Sequence, residues 1–213
     1  MGKEFLCHIK WLIVTVFCLL LITLAVNGVG VNLKKTFAAG TLNLSATSGT
    51  VGTHIFISGS GYKPGETVRP YWNYGGSGTV VQENNFYYFS PSGVADANGN
   101  ASMSIFIPGF PTGNYTIAGK GLTSGIVDTA VFHLVPNVET GLYIGPAGSV
   151  LRLSGWGFAA KEAITLYWNW NGTTGLKAAT ATTDSHGTFS NRAFTVPATT
   201  ANGTYTVAAI GSL

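Results

Sequence analysis

The sequence predicts an all-β chain, two tandem β-sandwiches preceded by an N-terminal hydrophobic export helix. Three observations predict it. One block of residues occurs twice in the body of the chain. Within each copy, apolar and polar residues alternate at a period of two, which puts one row of a strand on a core and the other in solvent. After the first stretch of the chain, helical spacing of apolar residues is absent, and Gly, Asn, Ser and Pro punctuate the short β-rich runs.

The export segment comes first. Lys3, His8 and Lys10 precede an uncharged run from Trp11 to Val26, and Asn27, Gly28, Val29 and Gly30 break that run. A basic start, an apolar stretch and small residues after it make a secretory signal. The rival reading is an uncleaved anchor. Trp11 to Leu33 is long enough for a bilayer, which needs about 20 residues. Asn27 and the glycines weaken that reading, and Lys34 and Lys35 oppose an anchor whose C-terminal side faces outward. Residues 1–30 are thus a signal peptide or membrane anchor, and 31–41 a linker. The protein is expected to be secreted or at the cell surface, and membrane-anchored if the segment stays uncleaved. Cys7 and Cys18 both lie in this segment. The body must therefore build cores that stand without a disulfide.

The repeat sets the domain organisation. Gly49-Thr50-Val51-Gly52-Thr53 opens one copy and Gly145-Pro146-Ala147-Gly148-Ser149 the other. At the same spacing, Ile55, Ile57, Ser58, Gly59, Gly61 and Tyr62 align with Leu151, Leu153, Ser154, Gly155, Gly157 and Phe158. Tyr71-Trp72-Asn73 aligns with Tyr167-Trp168-Asn169, and Gly113-Asn114-Tyr115-Thr116 with Gly203-Thr204-Tyr205-Thr206. Agreement over nearly the whole length is a repeat signal. It gives one domain over 42–135 and a second over 136–213. Short strands separated by turn formers, at this length per copy, are the signature of an immunoglobulin-like sandwich.

Each strand has a source in the sequence. His54–Ser58 and Val150–Ser154 are short and β-rich, and Thr67–Trp72 and Ala163–Trp168 alternate. Ala101–Ile107 and Thr188–Val196 follow, then Asn114–Ala118 and Thr204–Ala208. Pro70 lacks a ladder donor, so its strand is expected to be an edge or bulged there. The first copy carries extra residues within Gly75–Val94, among them Phe86-Tyr87-Tyr88-Phe89. It also ends in a closing strand, Ile126–Val135, whereas the second copy has only Ala209 to Leu213 after Ala208. The second domain is therefore expected to lack its closing strand, either as a truncated product or with an open edge. An open edge invites strand addition by a partner.

The motif Gly-x-x-Gly-Thr-x-Ile-x-Ile-Ser-Gly-x-Gly-Tyr-x-Pro-Gly-Glu-x-Val at Gly49–Val68, with Asp96-x-x-Gly99, Pro108 and Gly113-x-Tyr115-Thr116-Ile117, resembles the tandem Ig-like repeats of bacterial exported and surface proteins, of IPT/TIG type or related. The second copy departs at Ala160-Lys161, which replaces Pro64-Gly65. The resemblance implies an extracellular Ig-like module serving as spacer, stalk or adhesion element, or appended to an enzyme. Fold does not settle function.

Composition excludes several classes. Charged residues are only 9% of the chain, against roughly 25% in an average soluble domain. From Thr36 onward seven Lys or Arg face seven Asp or Glu. A near-neutral body argues against a nucleic-acid partner, which would require a basic face. No zinc arrangement, cysteine nucleophile or phosphate loop is present, and Gly59-Ser60-Gly61 is no nucleophile elbow, which has Gly-x-Ser-x-Gly. Few acids are left for a glycosidase pair. The reading is of a protein that is not an enzyme, with no catalytic residue, no metal and no cofactor.

The remaining candidates are contact residues. Tyr71, Asn73, Tyr167 and Asn169 face away from Trp72 and Trp168 by alternation, and together with Tyr87 and Tyr88 they are candidates to stack on sugar rings and bond their hydroxyls. The competing reading gives the aromatics to the interior: Trp72, Trp168, Tyr115 and Tyr205 as core. Asp96 with Gly99, and Asp184 with Gly187, are thin for calcium, which takes six to eight oxygens, and fit Asx turns. Glu66 and Glu162 are expected to cap strand starts in solvent. Asn43, Asn100, Asn114, Asn171 and Asn202 are glycosylation sequons that turn-rich composition also produces. The partners this allows are a cell-wall or extracellular polysaccharide, or another surface protein. The expected function is a non-catalytic structural, adhesion or spacer module. The alternatives are a carbohydrate-binding surface module and the N-terminal part of a larger secreted enzyme.

Overall fold

The computed structural model describes residues 40–76, 80–81 and 92–212. The export segment, nearly all of the linker, and Tyr87 and Tyr88 lie outside the described residues. The described chain from Gly40 onward is all-β, with fifteen strands and no helix among those residues.

In the first half, β1 (Asn43–Leu44), β3 (His54–Gly59) and β7 (Ala101–Phe106) form one sheet, in the order β1-β3-β7. The facing sheet holds β2 (Ser48–Gly49), β4 (Thr67–Trp72), β5 (Val80–Val81), β6 (Gly93–Val94), β8 (Gly113–Gly121) and β9 (Val127–Leu134). Its order is β2-β9-β8-β4-β5, and β6 also pairs with β4. In the second half, β10 (Asn137–Thr140), β11 (Val150–Trp156) and β14 (Phe189–Thr195) form one sheet, and β12 (Ala163–Trp168), β13 (Leu176–Thr182) and β15 (Val207–Gly211) the other. Their orders are β10-β11-β14 and β13-β12-β15.

Alternation produces two cores. Ile55 and Ile57 of β3, Val68 and Trp72 of β4, Met103 and Ile105 of β7, Ile117 of β8, and Phe132 and Leu134 of β9 all point inward into one cluster. Leu151 and Leu153, Ile164 and Leu166, and Phe189 and Phe194 form the second. Each fully buried side chain of this size contributes about 1.5–3 kcal/mol relative to exposure, which lets both cores stand without a cross-link.

The copies share register as well as sequence. β8 lies on β4 with Val68 opposite Gly121 and Tyr71 opposite Ala118. β15 lies on β12 with Ile164 opposite Gly211 and Tyr167 opposite Ala208. On the far side of β8 comes β9, whereas β15 ends its sheet among the described residues.

Pro70 differs from the expectation of an edge strand. β4 is internal, flanked by β8 on one side and by β5 and β6 on the other. β5 pairs with Tyr71 and Trp72, and β6 with Thr67 and Val68. Pro70 sits in the gap between these two short partners, where no ladder donor is required. In the second sandwich Leu166 takes its place, and β13 runs along all of β12 with a register shift after Leu166.

The two sandwiches meet with almost no linker, since β9 ends at Leu134 and β10 begins at Asn137. The Thr112 N–H donates to the Phe158 carbonyl at 3.1 Å, and its hydroxyl donates to the Leu134 carbonyl at 2.9 Å. Gly157, at φ +72°, has no room for a side chain: a Cβ there would lie 2.7 Å from Leu134 Cδ2 and 3.0 Å from the Val135 carbonyl oxygen.

Candidate functional site

The aromatic turn at the end of β4 and β12 is the most specific feature that the copies share. Trp72 is 0% exposed. It stacks on Tyr115 at 4.7 Å and meets Phe132 edge-on at 5.8 Å. Trp168 stacks on Tyr205 at 4.8 Å and packs on Phe194 at 5.6 Å, but it is only half-buried. Tyr115 and Tyr205 are half-buried too. Each donates its hydroxyl to the backbone carbonyl four residues upstream, Tyr115 to Pro111 at 2.6 Å and Tyr205 to Ala201 at 2.9 Å. This is the tyrosine corner of Greek-key sandwiches.

Tyr71, Asn73 and Tyr167 are half-buried and Asn169 is exposed, on the side of the strand away from each Trp. The asparagines have a conformational reason to be there. Asn73 and Asn169 sit at φ +52° and +53°, the left-handed region that Asn tolerates better than most residues. The chain then folds back, so that the Tyr74 N–H reaches the Thr116 carbonyl at 2.9 Å and the Trp170 N–H the Thr206 carbonyl at 3.1 Å. The turn sets Tyr74 against Tyr71 at 73° and Trp170 against Tyr167 at 44°. Each pair is therefore angled and does not make one flat two-ring platform.

The aspartate turns are built from their own backbone. Asp96 Oδ1 accepts the N–H groups of Asn98 and Asn100, both at 2.8 Å. Asp184 Oδ1 accepts those of His186 and Thr188 at 2.8 and 3.0 Å. These bonds hold both carboxyls below the usual carboxylate range. Gly99 and Gly187 follow at positive φ, and a Cβ at either would strike the carbonyl of Tyr62 or Phe158. Among the described residues no cluster of three His, Cys, Asp or Glu forms a metal site.

Glu66 and Glu162 correct the expectation of solvent-facing caps, being only 4% and 6% exposed. Glu66 Oε1 accepts the Lys63 N–H at 2.6 Å and the Ser124 hydroxyl at 2.6 Å. Its Oε2 accepts the N–H groups of Thr123 and Ser124 at 3.0 and 2.8 Å. The carboxylate thus clamps the turn before β4 to the turn between β8 and β9. Burial pushes its pKa up, but the hydrogen bonds from Ser124, Lys63 and Thr123 win, and the net direction is down. Glu162 accepts the Ala159 N–H at 2.9 Å in the same local turn. A position repeated in both copies was the available signal, and the low exposure was not readable from it.

A second buried group carried no sequence signal. Tyr62, 0% exposed, and Asp128, 4% exposed, face each other inside the first sandwich. The Tyr62 hydroxyl donates to the Gly119 carbonyl at 3.3 Å and lies beside the Asp128 carboxylate, whose Oδ2 is buried with no hydrogen-bond partner among the described residues. Desolvation dominates and raises the Asp128 pKa above its ordinary value, against a smaller opposing effect of Tyr62 and the Gly40 N–H. In the second copy Tyr62 becomes Phe158 and Gly119 becomes Ala209. A Cβ at Gly119 would lie 2.5 Å from the Tyr62 hydroxyl oxygen. The second copy has exchanged a hydroxyl for a methyl at the same place in its core.

Comparison with known proteins agrees with this architecture. A family model described as macroglobulin-like domain matches residues 38–134, the stretch of the first sandwich. The match supports an Ig-like repeat family and does not point to the IPT/TIG type. No curated protein matches the chain.

Proposed function

We propose that the chain is a non-catalytic, exported module of Ig-like repeats that acts as a spacer or adhesion element at the cell surface. The observation that carries this reading is the use made of its carboxylates. Glu66 clamps two turns, Asp96 and Asp184 each close one, and Asp128 is sealed against Tyr62. Acid–base catalysis requires such a group poised at a reacting atom; here Glu66 and Asp128 are buried in the fold, and the exposed Asp96 and Asp184 are taken up by their own turn N–H groups. A macroglobulin-like match to the first sandwich is compatible with such a module. The basic start and apolar run of residues 1–26 support export.

The test is fractionation of cells expressing the full chain, with protease added outside. The chain should be extracellular or accessible at the surface, and retention in the cytosol would overturn the reading. A carbohydrate-binding role is the second reading: Tyr167 and Trp170 are only half-buried, and their 44° tilt leaves each ring to take a sugar separately. Retarded migration in polysaccharide gels that disappears in Trp170→Ala would establish it over the spacer reading.

A further inference from the structure

The first sandwich seals a carboxylate with one oxygen left over. Asp128 of β9 is 4% exposed, and its Oδ2 finds no hydrogen-bond partner among the described residues. Tyr62 beside it is neutral, and the Tyr62 hydroxyl is spent on the Gly119 carbonyl. A polar group buried without a partner is costly, and a charge so placed costs more. The main chain of Gly40 runs against that oxygen. A Cβ on Gly40 would lie 2.6 Å from Asp128 Oδ2 and would strike the Ser60 carbonyl oxygen, so this place admits glycine alone. From there the Gly40 N–H acts on the carboxylate. Two residues on, Leu42 is buried in the core, and at Asn43 the chain pairs with Ser58 as β1 begins. The chain is thus anchored from Leu42 onward, with the Gly40 nitrogen held at the acid.

The second sandwich shows the same place where the chain simply runs through. Its register sets Glu139 opposite Ser154, as that of the first sets Asn43 opposite Ser58. Pro136 therefore occupies the position of Gly40, and it has no N–H to give. Phe158 stands where Tyr62 stands. A continuous chain is matched there with groups that ask for no polar partner. The polar set of Gly40, Tyr62 and Asp128 belongs to the copy that follows the leading segment. The compact body that holds both sandwiches starts at Phe37, and Ala38 and Ala39 precede Gly40 in the sequence.

We propose that the mature protein begins at Gly40, with its α-ammonium paired to the buried Asp128 carboxylate. The inference rests on export, since residues 1–39 must be removed. The step is hydrolysis of the Ala39–Gly40 bond by a peptidase of the export route. Water adds across the bond, Ala39 keeps the new carboxylate and Gly40 the new amine. Alanine on the amino side of the cut is the small residue such enzymes accept. Phe37 departs from the Ala-x-Ala pattern of the enzyme that removes an export segment. The cut therefore falls to later trimming of the linker, which halts where the amine is sealed. An amide nitrogen brings a single N–H, whereas an ammonium brings three and a full charge. That is enough to serve both Asp128 oxygens and the Ser60 carbonyl. The raised Asp128 pKa belongs to the chain with the Ala39–Gly40 bond intact; an opposite charge beside the acid favours its ionised form.

The experiment expresses the full chain in exporting cells and reads the start of the secreted protein by peptide mass mapping. The expected start is Gly40. The folded protein is then acetylated with acetic anhydride near neutral pH, and the rate at the α-amine is read from its N-terminal peptide. Folding should slow that rate at least tenfold relative to the same protein in urea. Asp128→Asn, with its fold checked by circular dichroism, should speed the folded rate at least tenfold, while the exposed Lys161 and Lys177 react alike in both proteins. An exported chain that starts elsewhere overturns the proposal and leaves the export reading standing. So does a Gly40 amine that is acetylated as fast folded as unfolded, or a folded D128N rate equal to the parent's. A chain kept inside the cell with residues 1–39 attached overturns both.

Discussion

At the scale of single residues, the first sandwich balances two buried carboxyls of opposite character. Asp128 has its folded pKa raised, mainly by desolvation. Between its ordinary value and that raised value the folded state binds more protons than the unfolded one, so its contribution to stability falls as pH rises through the window. Glu66 is the reverse. Hydrogen bonds lower its folded pKa, so its contribution is present above the unfolded value and is lost as pH falls through the folded one. Asp128→Asn keeps the shape of the side chain beside Tyr62 and removes the charge. Urea melts at a series of pH values should show the variant gaining stability over the parent as pH rises from 4 to 7. A constant difference across that range would mean that Asp128 does not titrate as described. Glu66→Ala should cost about 1.5–3 kcal/mol, the range for a bond to a charged group, and its effect should shrink in acid. An acid-independent loss would point to packing alone.

Elements show how the two copies diverged while keeping one topology. β8 with Tyr62 and β15 with Phe158 are alternative solutions to one packing problem. Tyr62→Phe removes the donor to the Gly119 carbonyl and leaves space beside Gly119, so it should destabilise by about 1–3 kcal/mol. Adding Gly119→Ala should recover part of that loss, because a methyl then fills the position it has in the second copy. Chemical denaturation followed by circular dichroism measures both, and a double variant weaker than the single one would refute the exchange. The sequence made much of this architecture legible. The strands were readable because period-two alternation and Gly or Asn turns are local signals, and Trp72 announced itself by recurring as Trp168. The Asx turns were readable because Asp and Gly stand at fixed spacing. The Glu66 clamp and the Tyr62–Asp128 pair were not, because their partners lie more than fifty positions away along the chain, and no local pattern encodes which side chains meet across a sandwich. Pro70 looked like an edge signal because the sequence does not show that its neighbours on one side are two short strands with a gap between them.

Across the whole molecule, the unequal completion of the two cores should govern how the chain unfolds. The first sandwich closes its core with Phe132 and Leu134, both fully buried. The second leaves Trp168 half-buried beside an open groove. Phe132→Ala would bring the first sandwich toward the state of the second, at a cost of about 3–5 kcal/mol. The junction opposes independent behaviour, since Thr112 bonds across it and Gly157 lets the Phe158 turn sit against Leu134. Differential scanning calorimetry distinguishes the two influences. If the cores dominate, the chain shows two transitions, with the lower one reported by Trp168 and therefore reduced in amplitude when followed by fluorescence in Trp168→Phe. Gly157→Ala strains a positive-φ position against the Val135 backbone, so it should lower that transition further and separate the two more widely. A single transition in both chains, shifted as a unit by Gly157→Ala, would show instead that the junction couples the sandwiches into one cooperative body despite the open groove.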